Sequence, residues 1–362
     1  MSARHIPQFR SYLEPSDYQS IERVFNDKYI AEGKVGIEFR DKLLELTGSP
    51  FGVLASNGTL ALYLALRAAG IGPGDEVIVQ NTTFIATANA VEMVGATPVF
   101  VDIVSPSDPS LAIDKIELNK NTRAIMVAHL FGTACTNIEG VESYCKSNKL
   151  ILIEDAAQAL GVTNGKRHCG TFGTLGTFSF FADKTITTGE GGFVVTADEA
   201  INEKMMYLRN QGRLQSGTFV HQEIGFNFRL TDIQSALGVA QLEKLERIVA
   251  HKQHLLERYT ANLGSHVEFL TTNTDFNHIP FRVVVFTDNA AQVMESMKEQ
   301  GVEPRSVFYP MHKQPCFSKY KYDNAKFVNS NKCYETGICL PTWIGLSDDD
   351  IDYVSECLIS AL

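Results

Sequence analysis

Leu150-Ile151-Leu152-Ile153-Glu154-Asp155-Ala156-Ala157-Gln158 is a run of four large aliphatic residues that ends in two carboxylates and then in small residues. A short continuous apolar run of this kind reads as a strand buried on both faces, as in a parallel sheet. The same texture recurs upstream, in Gly52-Val53-Leu54-Ala55, Glu76-Val77-Ile78-Val79, Pro98-Val99-Phe100-Val101 and Ala124-Ile125-Met126-Val127. Between these runs, residues 59–69, 86–94 and 138–146 carry apolar positions at helical spacing. Strands alternating with helices imply an α/β domain with a mostly parallel sheet. Asp155 then lies on the carboxyl edge of that sheet, where open α/β folds hold ligands. A helix cap for Ala156 onward is an equally open reading of the same aspartate.

Downstream comes Phe178-Ser179-Phe180-Phe181-Ala182-Asp183-Lys184-Thr185-Ile186-Thr187-Thr188-Gly189-Glu190-Gly191-Gly192. Thr177 to Phe181 alternates small polar and aromatic residues like a half-buried strand, and Gly192 to Thr196 reads as a second strand after a glycine-rich turn. Lys184 is thereby placed at a strand end, where backbone can approach a ligand closely. Alone it reads as a solvated loop lysine, and the glycines as a hairpin turn. Together with a strand-end aspartate it fits pyridoxal phosphate chemistry. The amine can condense with the cofactor aldehyde as a Schiff base, and a carboxylate can keep the pyridine nitrogen protonated.

In Ala55-Ser56-Asn57-Gly58-Thr59-Leu60-Ala61-Leu62 a strand ends in small residues and a helix opens at Gly58 and Thr59. Backbone amides and the helix dipole there point at a potential anion, although an ordinary helix cap accounts for the same letters. From about Thr231, apolar residues at helical intervals with many charges predict one long helix over 232–263 leading away from the sheet. Beyond it, residues 279–286 and 290–299 read as a strand and a helix of a compact α+β unit. The expected division is a large α/β domain over 1–245 with an amino-terminal helical arm, and a smaller one over 246–362.

The stretches 56–62, 95–103, 154–161, 178–192 and 225–242, in that order, resemble the DegT/DnrJ/EryC1/StrS family of nucleotide-sugar aminotransferases. Within it the chain is most similar to the GDP-perosamine-synthase-like sugar 4-aminotransferases. The resemblance implies a fold type I large domain and pyridoxal or pyridoxamine phosphate as cofactor. It assigns the Schiff-base amine to Lys184 and the pyridine-nitrogen partner to Asp155. Gly58, Thr59 and Ser179 match phosphate contacts, Phe84 an aromatic ring stacked on the pyridine, and Gln158 a group near the ring hydroxyl. Asn227 and Arg229 match a loop reaching the neighbouring subunit's site, which implies a homodimer with shared active sites. Without the resemblance, Phe84 reads as core, and Asn227 and Arg229 as surface groups.

The implied reaction moves an amino group from L-glutamate to a nucleotide-linked 4-keto-6-deoxy sugar, as in amino-sugar supply for O-antigen-type glycans. A dehydrating branch of the family carries histidine in place of Lys184. The 3-aminotransferases tend to read K-N-L-G-A-x-G-D-G-G from that lysine; residues 184–192 match the 4-aminotransferase version instead. Residues 308–315 resemble a substrate loop, making Tyr309 and His312 candidate sugar contacts beside a plain packing role.

Composition constrains the rest. The 362 residues are 44% hydrophobic, enough for a large core, and the net charge of −10 gives no support for nucleic-acid binding. Seven cysteines without a C-x-x-C pair read as reduced thiols, with neither a disulfide framework nor a metal site. Met1 to Pro7 leads into no apolar signal core and no stretch approaches a membrane span, so the expected location is cytoplasmic.

Overall fold

The structure, a computed structural model, describes residues 4–213, 219–221 and 223–362; Met1 to Ala3 of the amino-terminal stretch read above lie outside these. Its main sheet holds seven strands, β1 (Phe51–Ala55), β2 (Glu76–Gln80), β3 (Thr97–Val101), β4 (Thr122–Ala128), β5 (Ile151–Asp155), β6 (Leu175–Ser179) and β7 (Gly192–Thr196). Their order is β1-β7-β6-β5-β4-β2-β3. The neighbours from β3 to β6 are all parallel, and β7 runs antiparallel to both β6 and β1. The predicted α/β architecture is present. Helices Gly58–Ala68, Ile85–Met93 and Ile138–Asn148 connect β1 to β2, β2 to β3 and β4 to β5. The last two span crossovers between parallel neighbours, which need such length, whereas β5 passes to β6 through a loop without an α-helix.

Along each strand the side chains alternate between two cores. Leu54, Ile78, Ile125, Leu152, Phe178 and Phe193 join one; Val53, Val77, Ala124, Ile153, Leu175 and Val194 join the other. Two-sided burial of this kind accounts for the unbroken apolar runs, and each fully buried aliphatic side chain contributes about 1.5–3 kcal/mol. The first core is covered by α2 (Lys34–Thr47) and α5 (Ile138–Asn148), which follow α1 (Pro15–Asp27) and flank it with Phe39, Leu43 and Val141. The second is covered by α3 (Gly58–Ala68), α4 (Ile85–Met93) and α6 (Glu199–Arg209), through Leu62, Ala65, Val91 and Leu208.

The single long helix expected over 232–263 is two helices, α7 (Asp232–Leu242) and α8 (Leu245–Leu263). At the break Lys244 has φ −101 and ψ 0. Its ammonium meets both carboxylate oxygens of buried Asp17 at 2.6 Å, and Gln241 Nε2 donates to the Tyr12 carbonyl at 2.9 Å. The bend closes this end of α7 onto the start of α1, a long-range requirement that helical periodicity does not carry.

A second sheet is antiparallel, in the order β10-β11-β9-β8, with β8 (Glu268–Phe269), β9 (Val283–Phe286), β10 (Arg305–Ser306) and β11 (Gly337–Leu340). Its core gathers Tyr259 and Leu263 of α8, Met297 of α9 (Ala290–Glu299) and Leu358 of α11 (Asp348–Ala361); α10 (Val328–Thr336) precedes β11. Ile6, far away in sequence, joins this core and bridges to Val302.

His168 illustrates a buried polar group with both ring nitrogens used. Nε2 accepts from Gly161 N at 2.7 Å, and Nδ1 donates to the Cys169 carbonyl at 2.5 Å. Burial pushes the imidazole down to about 4, from 6.5. The native state therefore favours the neutral ring: the stabilisation is complete above pH 6.5 and is lost as pH falls from there through 4. The shift corresponds to about 3 kcal/mol. The urea midpoint should fall across this window, and the fall should shrink in His168→Asn; an unchanged pH dependence would exclude His168 as its source.

Candidate active site

Five chain segments converge on the carboxyl edge of the large sheet because the parallel strands all end there. Beyond β1, Asn57 caps α3 by accepting from Leu60 N at 2.9 Å. The preceding turn lies so close to β7 that a Cβ on Gly192 would stand 2.4 Å from the Asn57 carbonyl oxygen. A Cβ on Gly58 would meet Ser179 Cβ at 2.8 Å, so only glycine brings the helix start against the serine at the end of β6. The first-turn amides of Gly58 and Thr59 have no intrahelical acceptor and, with the Ser179 hydroxyl beside them, form an anion cradle.

Asp155 ends β5 and is 6% exposed. Oδ2 accepts from the Thr87 hydroxyl at 2.7 Å and Oδ1 from Ala157 N at 3.2 Å. The second bond is a cap of the backbone after the strand; the first fixes the carboxylate of a residue that lines the cavity. Burial raises its pKa above the usual carboxylate range, against the Thr87 and Ala157 hydrogen bonds and the nearby Lys184 charge. A cationic ligand group placed here would restore the ionised form.

The neighbouring Glu154 was not singled out in the sequence. Fully buried, it accepts from Gly170 N at 2.7 Å, Phe172 N at 2.6 Å, Gly173 N at 2.5 Å and His129 Nε2 at 2.8 Å. His129 N in turn donates to the Asp155 carbonyl at 2.9 Å. Four donors on one carboxylate pin the end of β5 and so aim Asp155. A charged residue directly after an aliphatic strand was the available signal.

Lys184 lies in the loop after β6 with its side chain 15% exposed. Its ammonium sits 4.3 Å from the Phe281 ring centroid and 3.8 Å from Asp183 Oδ1. Burial lowers its pKa from the ordinary lysine range; Asp183 and then Asp155 pull it back up, and Arg282 opposes them. Gln158 Oε1 accepts from Phe131 N at 2.7 Å and holds the turn after β4, where Phe131 adopts φ 56. Phe131 stacks on Phe308 at 5.5 Å, and Phe84 meets Phe308 edge-on at 6.0 Å. Phe84 is 53% exposed and lines the cavity, so it is not core.

These groups share one cavity of about 570 Å³, lined by Gly58, Thr59, Phe84, Asp155, Gln158, Ser179 and Lys184. Arg282, Arg305 and Phe308 complete it from the side of the second sheet. Among the described residues no cluster of His, Cys, Asp or Glu suits a metal ion, and no helix is long and apolar enough to cross a membrane.

The structure brings four other predicted residues elsewhere. Tyr309 packs edge-on against Tyr334 at 5.0 Å. His312 stacks on Phe327 at 4.2 Å, while its Nε2 lies 2.9 Å from Asn324 Oδ1 and its Nδ1 2.9 Å from Asn81 Nδ2. Both lie off the cavity wall because Met311, between them, is drawn into the core of the large sheet. Asn227 and Arg229 are exposed, with Arg229 Nε donating to Asn227 Oδ1 at 2.9 Å. Phe226 and Phe228 stack at 4.7 Å and pin this segment to Tyr63 of α3, so alternation turns Asn227 and Arg229 outward.

The model of the DegT/DnrJ/EryC1/StrS aminotransferase family matches residues 12–359. The chain belongs to this family. It is 35% identical over 361 residues to GDP-perosamine synthase of Escherichia coli O157:H7, covering 98% of both chains. It is 34% identical over 304 residues to a UDP-N-acetyl-3-dehydro-alpha-D-glucosamine 3-aminotransferase of Acidithiobacillus ferrooxidans, covering 82% of this chain and 81% of that protein. Among solved structures, the aminotransferase TlmJ from Streptoalloteichus hindustanus superposes with a TM-score of 0.93 at 25% identity, over 99% of each chain. Aminotransferases of the DegT family depend on pyridoxal phosphate. The residues present fit that group: an amide cradle opened by Gly58, a buried carboxylate, an exposed aromatic wall and an enclosed amine.

Proposed function

We propose that this aminotransferase transfers the amino group of L-glutamate to C4 of a GDP-linked 4-keto-6-deoxy sugar, in the manner of a GDP-perosamine synthase. The observation that carries this reading is the enclosure of Lys184 and Asp155 in one cavity that Arg305 and Phe308 also line. End-to-end similarity to a GDP-perosamine synthase supports the guanine nucleotide and the 4-keto sugar.

When bound, pyridoxal phosphate supplies an electron-withdrawing ring and the carbonyl that carries the amino group between substrates. The chain supplies the rest. Gly58 and Thr59 amides and the Ser179 hydroxyl hold the phosphate, and Phe84 covers one ring face. Asp155, ionised against a ring proton, keeps that nitrogen protonated. Lys184 takes the proton from the donor α-carbon, and in the second half-reaction delivers one to C4 of the sugar. Glu154 and Thr87 keep Asp155 in register throughout.

A UDP-linked acceptor is the second reading, favoured by the UDP-sugar 3-aminotransferase relative; a dTDP-linked one stands beside it. A non-catalytic binding or regulatory protein leaves the enclosure of Lys184 and Asp155 in one cavity without a purpose. The test offers L-glutamate with GDP-, dTDP- and UDP-linked 4-keto-6-deoxy sugars, followed by product mass and NMR. A GDP product aminated at C4 is expected; preferential amination of another nucleotide sugar, or at C3, overturns the assignment. The yellow protein should also bleach on adding glutamate.

We further propose a homodimer in which Asn227 reaches the phosphate held by Gly58, Thr59 and Ser179 of the partner, with Arg229 beside it. Their outward display, stacked in place by Phe226 and Phe228, supports this arrangement. Lys184→Ala and Asn227→Asp, each inactive alone, should regain up to about a quarter of wild-type activity when their subunits are randomly exchanged, since half the dimers are mixed and each carries one intact site. Verified exchange without any recovery would sink the shared site.

A further inference from the structure

Asp183 is not used in the reaction described above, yet it is the carboxylate nearest the reactive amine. Its two oxygens are treated differently. Oδ2 accepts from Arg282 Nη2 at 2.7 Å, whereas Oδ1 is enclosed, accepts no hydrogen bond, and faces Lys184 Nζ at 3.8 Å. A buried carboxylate oxygen without a donor is costly unless a cation comes to it. Arg282 is itself buried, 5% exposed, and its guanidinium lies 4.2 Å from the centroid of the same Phe281 ring that faces Lys184 Nζ. Behind this group the buried Lys252 of α8 donates to the Pro280 carbonyl at 3.1 Å, steadying the strand entry that carries Phe281 and Arg282. The arrangement is a fixed carboxylate with one oxygen tied back and the other kept open.

We propose that Asp183, held by Arg282, is a positioning residue for Lys184: its free Oδ1, with the Phe281 face, forms the seat of the lysine nitrogen and sets how readily that nitrogen holds a proton. The proposal rests on the aminotransferase reading of Lys184. Charged groups around the seat come from several elements: Asp155 at the end of β5, Glu190 before β7, Arg305 on β10, Lys252 on α8 and the Asp183–Arg282 pair. Asp183 and Arg282 bear on Lys184 with opposite sign. Removing the carboxylate leaves Arg282 unbalanced beside the amine and favours its neutral form. Removing the guanidinium leaves Asp183 unbalanced and favours the protonated form. A role confined to holding the fold makes no such distinction, because either change strands one buried charge.

The test uses cofactor-loaded wild type, Asp183→Asn, Arg282→Gln and the double variant. In each, the visible band is titrated with pH, which needs no sugar substrate and reads protonation at the lysine nitrogen. The midpoint should fall by about one pH unit in Asp183→Asn and rise by a similar amount in Arg282→Gln, with the double variant between them. In parallel, the rate at which an acylating reagent labels Lys184 in cofactor-free protein, located by peptide mass, is followed against pH and should shift in the same directions. Unmoved midpoints, or shifts of the same sign in both single variants, overturn the proposal. Absence of any visible band in wild type would count against the aminotransferase reading, and the labelling series would then decide the Asp183 seat by itself. If a single variant fails to fold, the double variant, which strands neither charge, is compared with the other single variant and must differ from it in the stated direction.

Discussion

Replacing Lys184 by alanine is expected to reduce amino transfer by roughly a thousandfold or more, because one change removes both the covalent attachment point and the proton carrier. The fold should persist. Lys184 lies in a loop after β6, outside the ladder that pairs β6 with β7, and its main contacts are the Phe281 face and one open carboxylate oxygen. Product formation under saturating substrates, with circular dichroism and a melting curve as controls, checks both halves. Turnover within about tenfold of wild type in a folded variant would remove Lys184 from the chemistry.

Asp155→Asn is the second large effect, an expected loss of about a hundredfold or more with cofactor still bound. The amide is close to isosteric, and the Thr87 hydroxyl and Ala157 amide that now serve the two oxygens can largely accommodate it. Only the charge that holds a ring proton is gone. The proposed phosphate contacts, Gly58 and Thr59 at the start of α3 and Ser179 at the end of β6, lie on other elements and should stay intact, which is why binding and turnover should separate. Comparing cofactor absorbance after gel filtration with the turnover rate measures that separation. Full activity would leave Asp155 as a cap of the turn after β5, through the bond it accepts from Ala157 N.

Much of this site was legible because its parts lie at strand ends. Asp155 closes an apolar run, and Gly58 and Thr59 open a helix after one, so a parallel sheet must deliver them to one edge, while Ser179 was found only through the resemblance. Glu154 was visible as a letter but not as a role, since its partners Gly170, Phe172 and Gly173 come from a loop that no strand pattern announces. Arg282 and Arg305 were equally hidden: they reach the cavity from the second sheet, which contacts such as Phe131 on Phe308, Phe84 on Phe308 and Arg282 to Asp183 bring to the edge. The candidate substrate residues Tyr309 and His312 show the reverse. Local resemblance placed them beside the sugar, while in the structure Met311 between them is buried in the core and neither side chain lines the cavity.

The sequence by itself determined the alternating α/β architecture, the strands from Phe51 to Thr196, the family and the chemistry expected of Lys184 with Asp155. These depend on periodicity, on strand-end position and on side-chain type, all of which are local. Tertiary structure decided that 232–263 is two helices, that Ile6 belongs to the core of the second sheet, and that Phe84, core by its letters and a ring contact by resemblance, is a cavity wall. It alone gave Asp183 one tied oxygen and one open one. Each of these depends on a partner far away in the chain: Asp17 for Lys244, Val302 for Ile6, Phe308 for Phe84, Arg282 for Asp183. Burial and charge pairing between distant segments are settled by packing, and no window of neighbouring residues contains both members of such a pair.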